Sequence, residues 1–166
     1  MRPVAILLAS CLVAACGSGR SDAPAASVDT VQLEADAARI GGAQYDVELG
    51  VRLRVPAGAK PALAAATIDL PPQLTALEPG LRAATALVDL QRGGTDRALR
   101  VLAGDARNVA AAPLRDGPLF WLRLAPTLPR TPGTYRVTLR DLQASTADGA
   151  LLAAASAPTY VDVVVE

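Results

Sequence analysis

Between Tyr45 and Val55 the chain reads YDVELGVRLRV, in which Tyr45, Val47, Leu49, Val51, Leu53 and Val55 are apolar and every residue between them is polar or Gly. Successive side chains of a strand point to opposite sides, so a period of two held this long predicts a strand with one buried and one wet face. Shorter stretches of the same kind follow at 64–70, 84–90, 97–104, 118–124 and 134–142, and a Val-rich run, YVDVVVE, comes last. Clusters of turn-forming residues separate them: LPPQ, EPG, QRGGTD, LRDGP, RTPGT and TADG. Gly, Pro and Asp supply the backbone angles that tight turns need. Two Ala-rich stretches, QLEADAARIGG and DGALLAAASAP, fit a helix by propensity alone. Within an alternating chain the first predicts mostly a strand around Val31 and Leu33. The second predicts a strand after a turn at Asp148-Gly149, with a short helix as its alternative. Many short strands punctuated by Gly and Pro make an all-β, antiparallel sandwich the expected fold.

The first fifteen residues do not share this pattern. Arg2 is followed by VAILLASCLVAA, an uncharged apolar run over 4–15. It is too short to span a bilayer as a helix, which takes roughly 20 residues, and it suits the apolar region of a secretory signal. The run ends in LVAAC and continues as GSG. These residues resemble the lipobox of bacterial lipoproteins: an aliphatic residue, two small ones, then cysteine. The resemblance implies transfer of a diacylglyceryl group to the Cys16 thiol, cleavage before Cys16 and acylation of the new amino terminus. LASC, ending at Cys11, also fits the box but leaves only residues 4–10 as the apolar region, at its short limit. Cys16 is therefore the expected site, with a buried cysteine at a helix start as the competing reading.

Two or more acyl chains hold a protein stably where one binds marginally, so the membrane is the first expected partner. Gly17 in place of Asp implies, by the sorting rule of Gram-negative lipoproteins, the outer membrane or cell surface. Residues 17–27, GSGRSDAPAAS, are small and polar and offer nothing for a core. The expected division is a signal peptide over 1–15, a lipidated tether over 16–27 and one domain over 28–166.

Composition narrows the chemistry further. Both cysteines lie in the N-terminal segment, so the domain holds no disulfide and depends on hydrophobic burial. The 16 basic and 16 acidic residues are interspersed without a run, which points away from nucleic acid. Histidine is absent from the whole chain, removing the commonest general base, the Ser-His-Asp and Cys-His arrangements and most zinc or copper sites. No spacing of carboxylates nominates a glycosidase pair. No catalytic residue, cofactor or metal is expected, and a minor hydrolase is the disfavoured reading.

In the C-terminal half, ALRVLAGDARNVAAAPLRDGPLFWLRL runs from a strand through a loop and an Asp-Gly turn to an apolar strand. TPGTYRVTLRDLQAS, ADGALL and YVDVVV follow. This order resembles cohesin domains, with Gly104, Asp116, Gly117, Leu119, Leu122, Leu124, Ala144, Ser145, Asp148 and Gly149 at the matching positions. ALAAATIDLPPQLTAL resembles the family's early strand and turn, although Pro71-Pro72 stands where an aromatic-Asp-Pro is usual. The resemblance implies a jelly-roll sandwich of about nine strands, a fold shared with several carbohydrate-binding modules. It also implies that one exposed sheet face binds a partner protein, in the known cases a dockerin.

The only Phe and the only Trp of the chain are neighbours, in PLFWLRL. Alternation places Phe120, Leu122 and Leu124 on the core face, and Leu119, Trp121 and Arg123 on the other. Trp121 and Arg123 are the candidate partner-binding residues, because Trp and Arg dominate protein hot spots; stacking on a sugar is open as well. The competing reading has Trp121 covering the sandwich edge or packing beneath a loop. Asp116 and Asp148 stand alone in their turns, short of the oxygens calcium needs, and read as turn residues. Asp46 and Glu48, two apart on a wet face, are expected to pair with Arg52 or Arg54 or to be solvated. The function expected is a lipid-anchored, non-catalytic envelope module that attaches a dockerin-like protein or a polysaccharide. A structural envelope lipoprotein with neither ligand is the alternative.

Overall fold

The computed structural model describes residues 28–105 and 113–166. The expected signal peptide, lipidation at Cys16 and tether lie outside the described residues. Eleven strands and no helix make up the described chain: β1 (Gln32–Ala35), β2 (Ala38–Ile40), β3 (Val47–Arg54), β4 (Leu63–Asp69), β5 (Leu74–Ala83), β6 (Val88–Gly94), β7 (Ala98–Asp105), β8 (Gly117–Pro126), β9 (Gly133–Ser145), β10 (Leu151–Leu152) and β11 (Thr159–Val165). They form two facing sheets in the orders β1-β3-β8-β5 and β2-β11-β9-β4-β7-β6, with β10 paired to β9. The all-β sandwich expected from the sequence is what the chain adopts. The first Ala-rich stretch holds β1 and β2 and the second only the two-residue β10, and neither is helical. One pairing is not antiparallel: β11 runs parallel to β2, with Val163 opposite Ala38.

The period-two pattern places the core. Leu49, Val51 and Leu53 of β3 face Ala66, Ile68, Val101, Val137, Leu139 and Val163 of the other sheet, all buried. Phe120, Leu122 and Leu124 lie among them, as alternation predicts. Each such Leu or Phe contributes about 1.5–3 kcal/mol by leaving water. Tyr45 does not join the set; β3 begins two residues later and the tyrosine is exposed.

Three irregularities shift the phase that simple alternation would give. In β8, Val51 faces Phe120 while Arg52 faces Pro118, so Leu119 is an extra residue. This bulge turns Leu119 inward beside Phe120, which corrects its expected place on the outer face. In β9 the register jumps from Gln143 opposite Ala65 to Arg140 opposite Thr67, and Asp141 sits at φ 55°. Inward positions change there from Val137 and Leu139 to Ala144. In β5, Ala76 faces Leu124 and the next pair is Leu81 with Leu122, so four residues bulge past Arg123 alone.

That third bulge holds Glu78-Pro79-Gly80, which the sequence reads as a turn between strands. The true turn is later, over 84–87, and the strand expected at 84–90 begins only at Val88. Gln91 to Gly94, expected as part of a turn, continue β6. The Asp148-Gly149 turn is confirmed. Gly149 has φ 85° and its N–H donates to the Thr146 carbonyl at 3.0 Å, while the Thr146 N–H donates to Ala150 at 2.9 Å. Only glycine takes that backbone region without a steric cost.

The registers give the sandwich two ends. One end gathers the start of β1, the loops 55–62, 84–87 and 113–116, and the turn before β10. The other gathers the loops 41–46, 70–73 and 127–132. There Arg130 ties two loops together: one guanidinium nitrogen donates to the carbonyls of Ile40 and Gly41, each at 2.8 Å, and the other to Gly42 at 3.3 Å and Gln44 at 2.9 Å.

Candidate binding site

Trp121 and Arg123 project from β8 onto the outer face of the four-stranded sheet, where β3 and β5 flank them. Gly50 stands directly opposite Trp121 on β3, and Arg82 directly opposite on β5. The indole lies over Gly50, so a Cβ built there would stand 2.6 Å from Cζ3. A strand-interior glycine leaves room for such an approach. Trp121 is half-buried as a result, between the exposed anchor and the fully packed side chain that the sequence left open. Arg82 places its guanidinium carbon 5.7 Å from the ring centroid, within cation–π range.

Arg82 continues across β8 to Glu48, donating from Nε at 3.0 Å and from Nη2 at 2.8 Å. This two-pronged contact, opposed by partial desolvation and assisted by the nearby charges of Arg82 and Arg123, holds the Glu48 carboxyl below the usual carboxylate range. Arg123 donates to Asp46 at 2.7 Å. From the sequence, Glu48 and Asp46 were either solvated or paired with Arg52 or Arg54; they are instead paired with Arg82 and Arg123, supplied by two other strands. Arg54 instead approaches Glu34 and Asp116, each at 3.5 Å. The face is a set of paired charges built around one ring, with Trp121 and Arg123 both in it. Arg82 was missed because β5 itself was hidden by its bulge. Gly50, alone among the polar residues of its strand, was the available signal.

The opposite sheet presents a different surface. Gln143, Ala65, Leu102 and Gln91 stand in one row across β9, β4, β7 and β6. Two half-buried apolar residues are flanked by two exposed amides. The next row holds Arg140, Thr67, Arg100 and Gly93, with Arg140 paired to Asp69 and Asp141.

Asp116 and Asp148 are not brought together. Asp148 accepts from the Thr146 hydroxyl, which with backbone N–H donors keeps its carboxyl below the usual range. Among the described residues, no three acidic side chains gather as a metal site would require.

No protein-family model matches the chain, and no curated protein matches it. Solved structures do. A non-cellulosomal cohesin from the archaeon Archaeoglobus fulgidus is 14% identical over 81% of this chain and 91% of its own, with a TM-score of 0.62. The sixth cohesin of scaffoldin B from Acetivibrio cellulolyticus, in complex with a dockerin, is 15% identical over 82% and 98%, with a TM-score of 0.65. A type I cohesin from Clostridium thermocellum, also in a dockerin complex, is 13% identical over 83% and 100%, with a TM-score of 0.66. The described chain is a cohesin-like β-sandwich, the fold that the residues from Gly104 to Gly149 suggested.

Proposed function

We propose that this chain is a non-catalytic protein-binding module, held at the cell envelope by acyl chains on Cys16, that captures a dockerin-like partner on one open sheet face. The observation that carries the reading is the cohesin-like sandwich, whose solved counterparts from Acetivibrio cellulolyticus and Clostridium thermocellum are complexes with dockerins. The lipobox-like LVAAC supports an outer-membrane or surface address, with residues 1–15 removed, 16–27 as the lead to the membrane and 28–166 as the domain.

The first docking surface proposed is the face of Trp121, Arg82 and Arg123. A preset aromatic beside fixed guanidinium groups loses little side-chain freedom on binding, and such residues dominate hot spots. A protein suits it better than a sugar, because a stacked sugar needs an open ring face and Gly50 and Arg82 already crowd this one. The second surface is the row of Ala65 and Leu102 with its flanking amides, which has the apolar centre and polar rim of protein interfaces.

Capture from an envelope extract with the detergent-solubilised protein decides among these. One stoichiometric protein partner, lost in Trp121→Ala, supports the first surface; loss in Leu102→Asp supports the second. Saturable binding on a glycan array without a protein partner would replace this reading with polysaccharide attachment. Neither ligand would leave the structural lipoprotein.

A further inference from the structure

We propose that the end of the sandwich at which the described chain begins lies directly against the bilayer, seated through Leu63, Leu87 and Leu151. The proposal rests on the anchored reading of Cys16 and adds to it an orientation and a second membrane contact.

The chain comes in at this end. The Val31 N–H donates to the Ala153 carbonyl at 2.9 Å, and the Ala155 N–H donates to Val31 at 2.8 Å. The N-terminal segment is thereby fixed beside the stretch that follows β10. Leu151 opposes Ser145, which opposes Leu63 on its other side, so the two leucines flank one residue across three strands. Leu63 leans over Gly104, where an added Cβ would meet its Cδ1 at 3.2 Å. Gly104 in turn faces Asp89 of β6, and Leu87 immediately precedes that strand. The side chains are 82% exposed at Leu151, 45% at Leu87 and 41% at Leu63.

The loops 55–62, 84–87 and 113–116 and the turn 146–150 of this end carry Lys60, Arg115, Asp116 and Asp148. Lys60, the lone lysine of the chain, is exposed here, as is Arg115; both suit anionic headgroups. Asp116 is offset by Arg54, 3.5 Å away.

Eleven residues lie between Cys16 and Val28, so the two are at most about 40 Å apart when the segment is fully extended. An anchored domain is therefore never farther than about its own length from the lipid. Joining two contacts through one short chain makes the second intramolecular, at an effective concentration in the millimolar range. Three leucines and two cations, too few to bind a membrane alone, suffice under that condition.

Leu151 and Leu128 make the test, being 82% and 89% exposed at opposite ends. Leu151→Cys and Leu128→Cys are expressed separately, purified from membranes, labelled with a nitroxide and reconstituted in phosphatidylethanolamine–phosphatidylglycerol vesicles. An aqueous nickel chelate is expected to collide several-fold less often with the label at 151 than with that at 128. Adding Leu87→Glu should restore collisions at 151. Equal collision rates in protein whose intact mass includes the acyl chains would overturn the seating and leave the anchor standing. A mass without acyl chains removes the anchor, and the seating with it.

Discussion

Trp121 rests on Gly50, edge to backbone, with 2.6 Å between its Cζ3 and the place a Cβ would occupy. The pair joins β3 to β8 on a face where no core packing helps. Gly50→Ala should therefore act against its usual direction. In an open strand the methyl group stabilises by about 0.5–1 kcal/mol relative to glycine; here it displaces a ring, and overpacking costs about 1–3 kcal/mol. The expected outcome is a net loss near 1 kcal/mol in urea denaturation, with a red shift of the single tryptophan's emission. A stabilised variant with unchanged emission would show that the ring has free space.

Trp121→Ala separates the two roles of that side chain. Uncovering Gly50 should cost stability modestly, about 1 kcal/mol, because the ring is only half-buried. If Trp121 anchors a partner, capture should fall by a much larger factor than this loss explains, and Trp121→Phe should recover stability more than capture. Parallel losses in both measurements would assign the residue to the fold.

The pair of Glu48 and Arg82 predicts a pH dependence. Arg82 holds the Glu48 carboxyl below its ordinary value of about 4.5. A lowered folded-state value means that the contribution is complete above the ordinary value and is lost as pH falls through the folded one. The advantage of the parent over Glu48→Gln should be constant at neutral pH, shrink only below that ordinary value, and weaken with added salt because the pair is exposed. Urea midpoints across an acid series check it; an advantage unchanged in acid would exclude the pair as its source.

Arg130 should matter more than a loop arginine usually does. From its own loop it donates to the carbonyls of Ile40, at the end of β2, and of Gly41, Gly42 and Gln44 in the loop that follows. Arg130→Ala is expected to lower unfolding free energy by about 2 kcal/mol, in the range for hydrogen bonds to a charged group. Arg130→Lys should recover only part, since an ammonium lacks the planar fork. Amide exchange over 41–46 should accelerate in both variants.

The proposed anchor has its own test. Globomycin should cause the uncleaved precursor to accumulate, and Cys16→Ala should release the protein from the membrane fraction. Retention of that variant would point to Cys11 or to another means of attachment.

Much of this architecture was readable wherever side chains alternate without interruption. The run from Val47 to Arg54 announces β3, and Phe120, Leu122 and Leu124 fall on the core side as their spacing requires. Reading fails where a bulge changes the count. Leu119 was assigned outward because nothing local reveals that β3 skips it, and β5 was lost because Glu78-Pro79-Gly80 has the composition of a turn. The binding face was legible only in part for a related reason. Trp121 and Arg123 share a strand, so their common side follows from parity; Gly50 and Arg82 reach them by register between strands distant in sequence, and no short window carries that information.

The split of the N-terminal segment between the two sheets, β1 beside β3 and β2 parallel to β11, bears on mechanics. Tension arriving from the amino-terminal side runs along these strands, while their hydrogen bonds lie across it. The bonds are then loaded together in shear instead of opening one at a time like a zipper. A domain pulled between a surface and a captured partner is, by this arrangement, gripped at its first strands by both layers of its own sandwich.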